Sequence, residues 1–173
     1  KSILSRVKHH KNKMRRSDRE IKDTDEIIDI LSECDVCVLG LNDSERGVPY
    51  LLPLNFGFEQ TDEGLFLYFH GAAEGRKYEL IAQNPMASFE ADCSHNLFSD
   101  SEKGYCTMNY RSIIGSGKIE LIDKADDKLR ALQLITDHYH KTHFEFNPAA
   151  LHRTKVMRLK VQSLSGKAKI AKR

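Results

Sequence analysis

The sequence predicts an α+β fold in which mostly antiparallel strands form a small closed barrel with helices at its rim. Three observations support this prediction. Segments rich in β-branched and aromatic residues follow one another through short polar turns, as is typical of antiparallel sheets. Three segments with helical spacing accompany about six strand-like segments, a combination typical of the α+β class. Gly115 and Gly117 interrupt a long strand-like segment at positions suited to the corner of a barrel.

Length and composition indicate one ordinary globular domain. The chain has 173 residues, of which 40% are hydrophobic and 30% are charged. This length is enough to bury a sizeable core, so we expect one domain over residues 21–173 after a basic N-terminal arm over residues 1–20. No apolar run approaches the roughly 20 residues that a membrane-spanning helix needs, so we expect no membrane association.

The positive charge of the chain is concentrated in the N-terminal arm, although the net charge is only +2. Eight cationic side chains lie in the arm: Lys1, Arg6, Lys8, Lys11, Lys13, Arg15, Arg16 and Arg19. No aromatic residue lies between them to stack on bases. We therefore expect no nucleic-acid binding and interpret residues 1–20 as a solvated arm that is ordered against a partner subunit.

The first half of the chain predicts one helix and three strands. Asp23 followed by Glu26 resembles a capping box at the start of a helix. Strands are predicted over residues 36–41, 49–59 and 65–70, and the short polar turns between them predict an antiparallel meander. Pro53 removes a hydrogen-bond donor from the second strand, so it should lie at a sheet edge or a bulge.

The second half of the chain predicts further elements of both kinds. We expect helices over 77–83 and 123–142, strands over 86–92 and 155–164, a polar loop over 93–104, and one or two long strands over 105–123.

Residues 68–81 combine the end of a strand, two glycines and two cations where a helix begins. Gly71 and Gly75 let the backbone approach a ligand, because they have no Cβ. Arg76 can donate to phosphate oxygens in pairs, and Lys77 adds a mobile positive charge. A helix N-terminus stabilises anions and disfavours cations, so the pattern favours a monophosphate site. The alternative is that Arg76 and Lys77 are ordinary surface residues of the first turn.

The cysteines and histidines suggest two alternative sites that we consider weaker. Cys34 and Cys37 have a Cys-x-x-Cys spacing, but the second set that a zinc site needs (Cys93, His95 and Cys106) is poorly spaced. We interpret the four cysteines as reduced thiols of a cytoplasmic protein. The three histidines of residues 138–143 do not share one helical face, so a haem site is a minor alternative there.

Five segments, taken together, resemble a known family. They are "MRRSDREI" (14–21), "PYLLPLNFGFE" (49–59), "LYFHGAAEGRK" (67–77), "YRSIIGSGKIE" (110–120) and "SGK" (165–167). In this order they resemble the flavin-binding proteins related to pyridoxamine 5′-phosphate oxidase, and most closely the nitroimidazole-resistance (Nim) group. The resemblance implies a split β-barrel that forms a homodimer, with FMN, or alternatively FAD, bound at the subunit interface.

The resemblance also implies roles for individual residues. Arg76 and Lys77 match the pair that holds the FMN phosphate, and Ser112 matches a polar position near the phosphate or ribityl group. Residues that match positions along the flavin ring and ribityl chain are Pro53, Leu54, Asn55, Phe56, His70 and Gly71. His70 is also the candidate catalytic residue, and Arg15 and Arg16 would lie over the dimer without contacting the ligand.

The implied activity is that of an FMN-dependent oxidoreductase with a small-molecule electron acceptor, in the manner of a Nim-like nitroreductase. Oxidation of pyridoxamine phosphate is not expected, because the oxidase has a substrate-binding segment with Trp near its C-terminus and this chain has no Trp. The alternatives are a flavin-binding module without turnover and, less favoured, a haem-binding split barrel.

Overall fold

The computed structural model describes residues 8–9, 14–140, 142–146, 151 and 153–171. In this part of the chain, nine strands form one sheet, and three α-helices pack around it. Seven of the eight strand pairings among these residues are antiparallel, and the short β1 runs parallel to β9. The α+β class with mostly antiparallel strands is therefore confirmed.

The elements have the following bounds. The strands are β1 (Lys8–His9), β2 (Glu20–Ile21), β3 (Cys37–Leu41), β4 (Tyr50–Leu54), β5 (Phe56–Thr61), β6 (Gly64–Ala72), β7 (Met86–Asp100), β8 (Tyr105–Ile122) and β9 (Thr154–Lys169). The helices are α1 (Thr24–Glu33), α2 (Arg76–Gln83) and α3 (Ala125–Tyr139), and a 3₁₀ turn spans Ser17–Arg19.

The sheet is an open barrel whose two edges meet at one point. Its main order is β4-β3-β7-β8-β9-β6-β5, so β4 and β5 are the terminal strands. These two strands are nevertheless consecutive in the chain, and only Asn55 separates them. Since one residue spans less than about 4 Å, the sheet must curl until its edges meet at Asn55. We call this place the seam. The hydrogen-bonded ladder does not close there, so the expectation of a closed barrel is wrong and the fold is a split barrel.

The three strands predicted over residues 36–70 do not form a meander. They form two hairpins, β3–β4 and β5–β6, which lie at opposite ends of the sheet order. The predicted strand 49–59 is two strands, β4 and β5, and the chain crosses between the two edges of the sheet at Asn55. Pro53 lies in the edge strand β4, opposite Val38, which confirms the edge position predicted from its missing N–H.

The core lies inside the curl of the sheet. Alternate residues of β3 point inward and are buried, namely Cys37, Leu39 and Leu41. The larger buried side chains of this core come from helices and strands alike: Ile27, Ile30, Leu31, Phe56, Leu65, Leu67, Phe69, Leu80, Phe89 and Ile113. A second cluster on the outer face joins α3 to the sheet through Phe66, Tyr68, Ala131, Leu132, Ile135 and Val156. The helix α3 therefore covers the outside of β6.

The long hairpin β7–β8 differs from the prediction in one place. The predicted loop 93–104 is strand as far as Asp100, with a register shift between Cys93 and Asn96. Its side chains are mostly exposed, so they lack the alternation by which a strand is predicted. The glycine kink is confirmed, because the β8–β9 register shifts between Ser116 and Gly117. A Cβ on Gly115 would lie 2.4 Å from the ring of Phe89, so only glycine leaves room for that ring.

The N-terminal region pairs with the part of β9 that extends beyond β6. The strand β1 runs parallel to Ser163–Leu164, and β2 runs antiparallel to 166–167. Most of the predicted arm, including residues 1–7 and 10–13, lies outside the described residues. Asp23 caps α1 as predicted, because its side chain accepts a hydrogen bond from the Asp25 amide. None of the described helices has the length and apolarity needed to cross a bilayer.

Replacing Gly57 by Ala tests the close contact between α3 and β5. A Cβ at this position would lie 2.5 Å from the backbone carbonyl of Leu134, and a helix backbone cannot yield as a side chain can. We expect Gly57→Ala to lower the free energy of unfolding by about 1–3 kcal/mol, measured by urea denaturation. The control is Gly40→Ala in β3, where the nearest atom to the new Cβ is a leucine methyl carbon 3.4 Å away. Equal effects at both positions would contradict this packing.

Candidate functional site

The fold brings most of the predicted site residues together at the seam. Phe56 pairs with Phe69, so the strand register places Asn55 beside His70. Pro53 and Leu54 end the edge strand that leads into Asn55, and Gly71 follows His70. The chain then turns through residues 73–75 into α2, which begins with Arg76 and Lys77. One continuous region therefore contains eight of the nine predicted residues, and Ser112 is the exception.

The crossing segment at the seam is held by a tyrosine from α3. The Phe56 amide donates to Tyr139 Oη at 3.0 Å, and this hydroxyl donates to the Asp35 carbonyl at 2.9 Å. Asn55 Nδ2 donates to the same carbonyl at 3.3 Å. Tyr139 therefore ties the start of β5 to the turn after α1. This role is not predictable from the sequence, because a tyrosine in an amphipathic helix is indistinguishable from an ordinary packing residue.

His70 lies on the outer face of the sheet, opposite Val156, with its side chain exposed. Desolvation by neighbouring groups lowers the pKa of His70 below its ordinary value of 6.5. The imidazole is therefore mostly neutral at pH 7, so it can both donate and accept a hydrogen bond.

Arg76 is bound to two carboxylates. Its Nε donates to Asp43 Oδ2 at 2.9 Å, and its Nη2 donates to Asp43 Oδ1 and Glu45 Oε2, both at 2.8 Å. Asp43 is only 1% exposed, and the Arg76 guanidinium lowers the pKa of its carboxyl. The hydrogen bonds that Arg76 donates to Asp43 in turn raise the pKa of Arg76. This pair ties the start of α2 to the β3–β4 loop, so much of the guanidinium is already used by the protein itself.

Lys77 folds back over the two glycines of the turn. A Cβ on Gly71 would lie 2.9 Å from Lys77 Cε, and one on Gly75 would lie 3.4 Å from Lys77 Nζ. Gly75 also has a φ of +142°, which favours glycine. The glycines therefore make room for the lysine side chain as well as for a ligand. Helix α2 begins without a side-chain cap, so its first amides face the same turn.

Ser112 lies far from the start of α2 within one chain. It is on the outer face of β8 and pairs with Asp92 of β7 and Lys167 of β9. Leu41, which leads into the Asp43 loop, pairs with Ala87 of β7 instead. Ala87 and Asp92 are five residues apart on one strand, or about 17 Å. Ser112 and Arg76 of the same chain are therefore too far apart to contact one phosphate group.

The alternative metal and haem readings receive no support from the described residues. Within them, no three His, Cys, Asp or Glu side chains are grouped closely enough to hold a metal ion. Cys34 and Cys37 are buried, and burial raises the pKa of the Cys37 thiol to about 12. His138 Nε2 bonds to the Cys34 carbonyl at 2.7 Å, and its ring packs against Phe56 with 4.7 Å between centroids. This histidine therefore has a packing role.

A cavity of about 380 Å³ lies elsewhere, between α3 and the outer face of the sheet. Glu59, Tyr68, Arg130 and Arg158 are among its lining residues. Glu59 is already bonded to Tyr68 Oη and to Arg130. None of the residues predicted for the site lines this cavity.

Comparison with known proteins identifies the family. Residues 23–168 match the family model described as pyridoxamine 5′-phosphate oxidase, and the chain belongs to this family. A solved structure of a candidate 5-nitroimidazole antibiotic resistance protein from Bacteroides thetaiotaomicron is 32% identical. The match covers 86% of each chain with a TM-score of 0.76. The predicted resemblance to the Nim group is therefore confirmed. Among curated proteins, no sequence matches significantly.

Two more distant structures share the fold. The flavocytochrome Anf3 from Azotobacter vinelandii is 20% identical, with a TM-score of 0.76 over 92% of this chain and 73% of that one. An FAD- and haem-binding protein from Mycobacterium smegmatis is 18% identical, with a TM-score of 0.74 over 88% of this chain and 74% of that one. At these identities the likeness establishes the split-barrel fold alone.

Tyr139→Phe tests the bridge at the seam. Losing the hydroxyl leaves the Phe56 amide without its acceptor, so we expect the free energy of unfolding to fall by about 1–2 kcal/mol in urea denaturation. Tyr105→Phe is the matched control, because Tyr105 is 44% exposed at the tip of the β7–β8 hairpin. An unchanged stability in Tyr139→Phe would show that this bridge does not form in solution.

The Asp43–Arg76 pair predicts a specific dependence of stability on pH. The folded-state pKa of Asp43 lies below its ordinary value of 3.8, so the pair stabilises the fold above that pH and loses its effect as the pH falls through the folded-state pKa. We expect wild type to be more stable than Asp43→Asn at pH 7, with a difference that shrinks below pH 3.8.

Urea denaturation between pH 7 and pH 3 measures this difference. Asp62→Asn in the exposed β5–β6 turn is the control, and it should not change stability at any of these values. A constant difference between wild type and Asp43→Asn down to pH 3 would contradict the assignment.

Proposed function

We propose that this member of the pyridoxamine 5′-phosphate oxidase family binds FMN at the interface of a homodimer and acts as an oxidoreductase on a small-molecule acceptor. The observation that carries the proposal is the meeting of Asn55 and His70 at the seam, next to the turn that holds Lys77. The Pro53–Phe56 segment and the Arg76–Lys77 pair are separated by about 20 residues in the sequence, and β6 connects them into one region of the fold.

The residues at the seam fit the parts of FMN. The backbone of Pro53–Phe56 is at a sheet edge, where its polar groups can face the flavin ring and ribityl chain. Lys77 can hold the phosphate, since its ammonium group lies beside Gly71 and Gly75, which leave room for it because they have no Cβ. Arg76 fits less well as a direct ligand, because Asp43 and Glu45 occupy Nε and Nη2. We propose that its main role is to fix the start of α2.

FMN, when bound, supplies the redox chemistry by passing electrons from a reduced nicotinamide nucleotide to the acceptor. The chain contributes a neutral, exposed imidazole at His70, which can hydrogen bond to the acceptor or relay a proton to it. Asn55 is exposed beside it and can orient the same molecule. We therefore propose His70 as the catalytic residue.

The outer face of the sheet supports the homodimer. Leu51 and Ile114 are 63% and 53% exposed on this face. The neighbouring outward positions in the strand register are Val38, Gly40, Ser88, Glu90, Ser116 and Ser165. Exposed apolar side chains among polar neighbours are typical of a protein–protein interface. A second subunit would also bring its own Ser112 to a site that one chain leaves without it.

The proposed acceptor is a nitroimidazole, on the ground of the 32% identity to a candidate nitroimidazole resistance protein. Reduction of a nitro group to an amine consumes six electrons and six protons and releases two water molecules. Three reduced nicotinamides supply the six electrons as three hydride equivalents, and solvent supplies the remaining three protons. The buried, unbridged Cys34 and Cys37 are consistent with a reducing compartment, so we propose a cytoplasmic location.

The test uses purified protein titrated with FMN, with the oligomeric state measured by sedimentation. We expect a yellow dimer that oxidises NAD(P)H in the presence of a nitroimidazole and forms the amine. His70→Ala should still bind FMN and should lower the turnover of the FMN-saturated protein by about 10²-fold or more, the usual contribution of a positioned acid or base.

His95→Ala is the control, because His95 pairs with Asp92 on the exposed β7 bulge. A protein that binds FMN but reduces no acceptor would be a flavin-binding module without turnover. A protein that binds no flavin would contradict the whole proposal.

A further inference from the structure

A second lysine lies beside Lys77 in the folded chain. Lys155 is the second residue of β9, and it pairs with Gly71 of β6. Its Nζ lies 4.6 Å from the centroid of the Tyr78 ring, and Lys77 Nζ lies 4.5 Å from the same centroid. The two ammonium groups are therefore at most 9.1 Å apart. We call Lys77, Tyr78 and Lys155 the dilysine cluster.

The cluster rests on a fixed aromatic ring. Tyr78 is buried, with 8% of its surface exposed, and its hydroxyl donates to the Ala72 carbonyl at 2.6 Å. The ring face attracts each cation and partly offsets the repulsion between them. The ring therefore keeps two like charges within 9.1 Å of each other at the end of β6, where Lys77 is half-buried and Lys155 is exposed to solvent.

The cluster has no anionic partner within the described part of the chain. Neither Lys77 nor Lys155 has a carboxylate oxygen within 4.0 Å there, whereas the adjacent Arg76 has two carboxylate partners. The protein thus neutralises the arginine internally and leaves the two lysines for an external anion. Two ammonium groups match the charge of a phosphate monoester, which is close to −2 at pH 7.

We propose that Lys155 is the second cation of the phosphate site, so that Lys77 and Lys155 together hold the terminal phosphate of FMN. This inference rests on the proposed function and goes beyond it, because it assigns a residue that neither the resemblance nor the sequence pattern indicates. It also bears on the choice of cofactor. A terminal monoester carries more charge than each phosphate of the FAD diphosphate bridge, so the cluster favours FMN over FAD and over riboflavin, which has no phosphate.

The test compares FMN and riboflavin binding to wild type, Lys155→Gln and Lys160→Gln by quenching of flavin fluorescence. Lys160 is the matched control, since it also lies on β9 with its Nζ above an aromatic ring, that of Phe66 at 5.4 Å. We expect Lys155→Gln to weaken FMN binding by about tenfold or more, as for the loss of one charged hydrogen bond. Riboflavin binding should be unchanged, and Lys155→Arg should retain most of the affinity for FMN.

Three results would overturn the inference. FMN binding could be equal in wild type and Lys155→Gln, the loss could be the same for riboflavin as for FMN, or Lys160→Gln could weaken FMN binding as much as Lys155→Gln does. In each of these cases wild type still binds FMN, so the proposed function survives. If wild type binds neither FMN nor riboflavin, the proposed function itself fails, and the Lys155 assignment fails with it. Circular dichroism of each variant checks that the fold is intact.

Discussion

The central constraint in this protein is that the two terminal strands of its sheet are joined by a single residue. Because Asn55 alone connects β4 to β5, the sheet must curl into a barrel, and its edges must meet there. The backbone at such an edge keeps polar groups that no neighbouring strand uses. The seam is therefore both the place where the barrel is completed and the place where a planar ligand can bind along the backbone. Tyr139 stabilises it by bridging Phe56 and Asp35.

The charges around the start of α2 are divided between structure and binding. Arg76 is the residue whose side chain best matches a phosphate in geometry, yet the protein binds it to a buried carboxylate. This pair fixes the helix against the β3–β4 loop. Lys77 is more flexible and extends over the glycines instead. Because Arg76 fixes the start of α2, Lys77 can contact a ligand while the helix stays in place.

Local sequence patterns predicted most of the helices and strands, but they could not predict the contacts between segments that are distant in the sequence. The capping Asp23, the edge position of Pro53 and the kink near Gly117 all follow from the chemistry of single residues. The pairing of strands depends on how the whole sheet curls, so a meander was the natural but wrong prediction. The partners of Arg76 lie more than 30 residues away in a polar turn. The sequence shows Asp43 and Glu45 in this turn, but no regular spacing along the chain indicates that they pair with Arg76.

A crystal structure of the protein with FMN tests the central claim most directly. We expect the flavin ring to lie along Pro53–Phe56 with His70 beside it, the phosphate to contact Lys77, and Arg76 to remain bound to Asp43. A flavin that occupies another surface, such as the cavity beside α3, would contradict the claim that the seam forms the binding site.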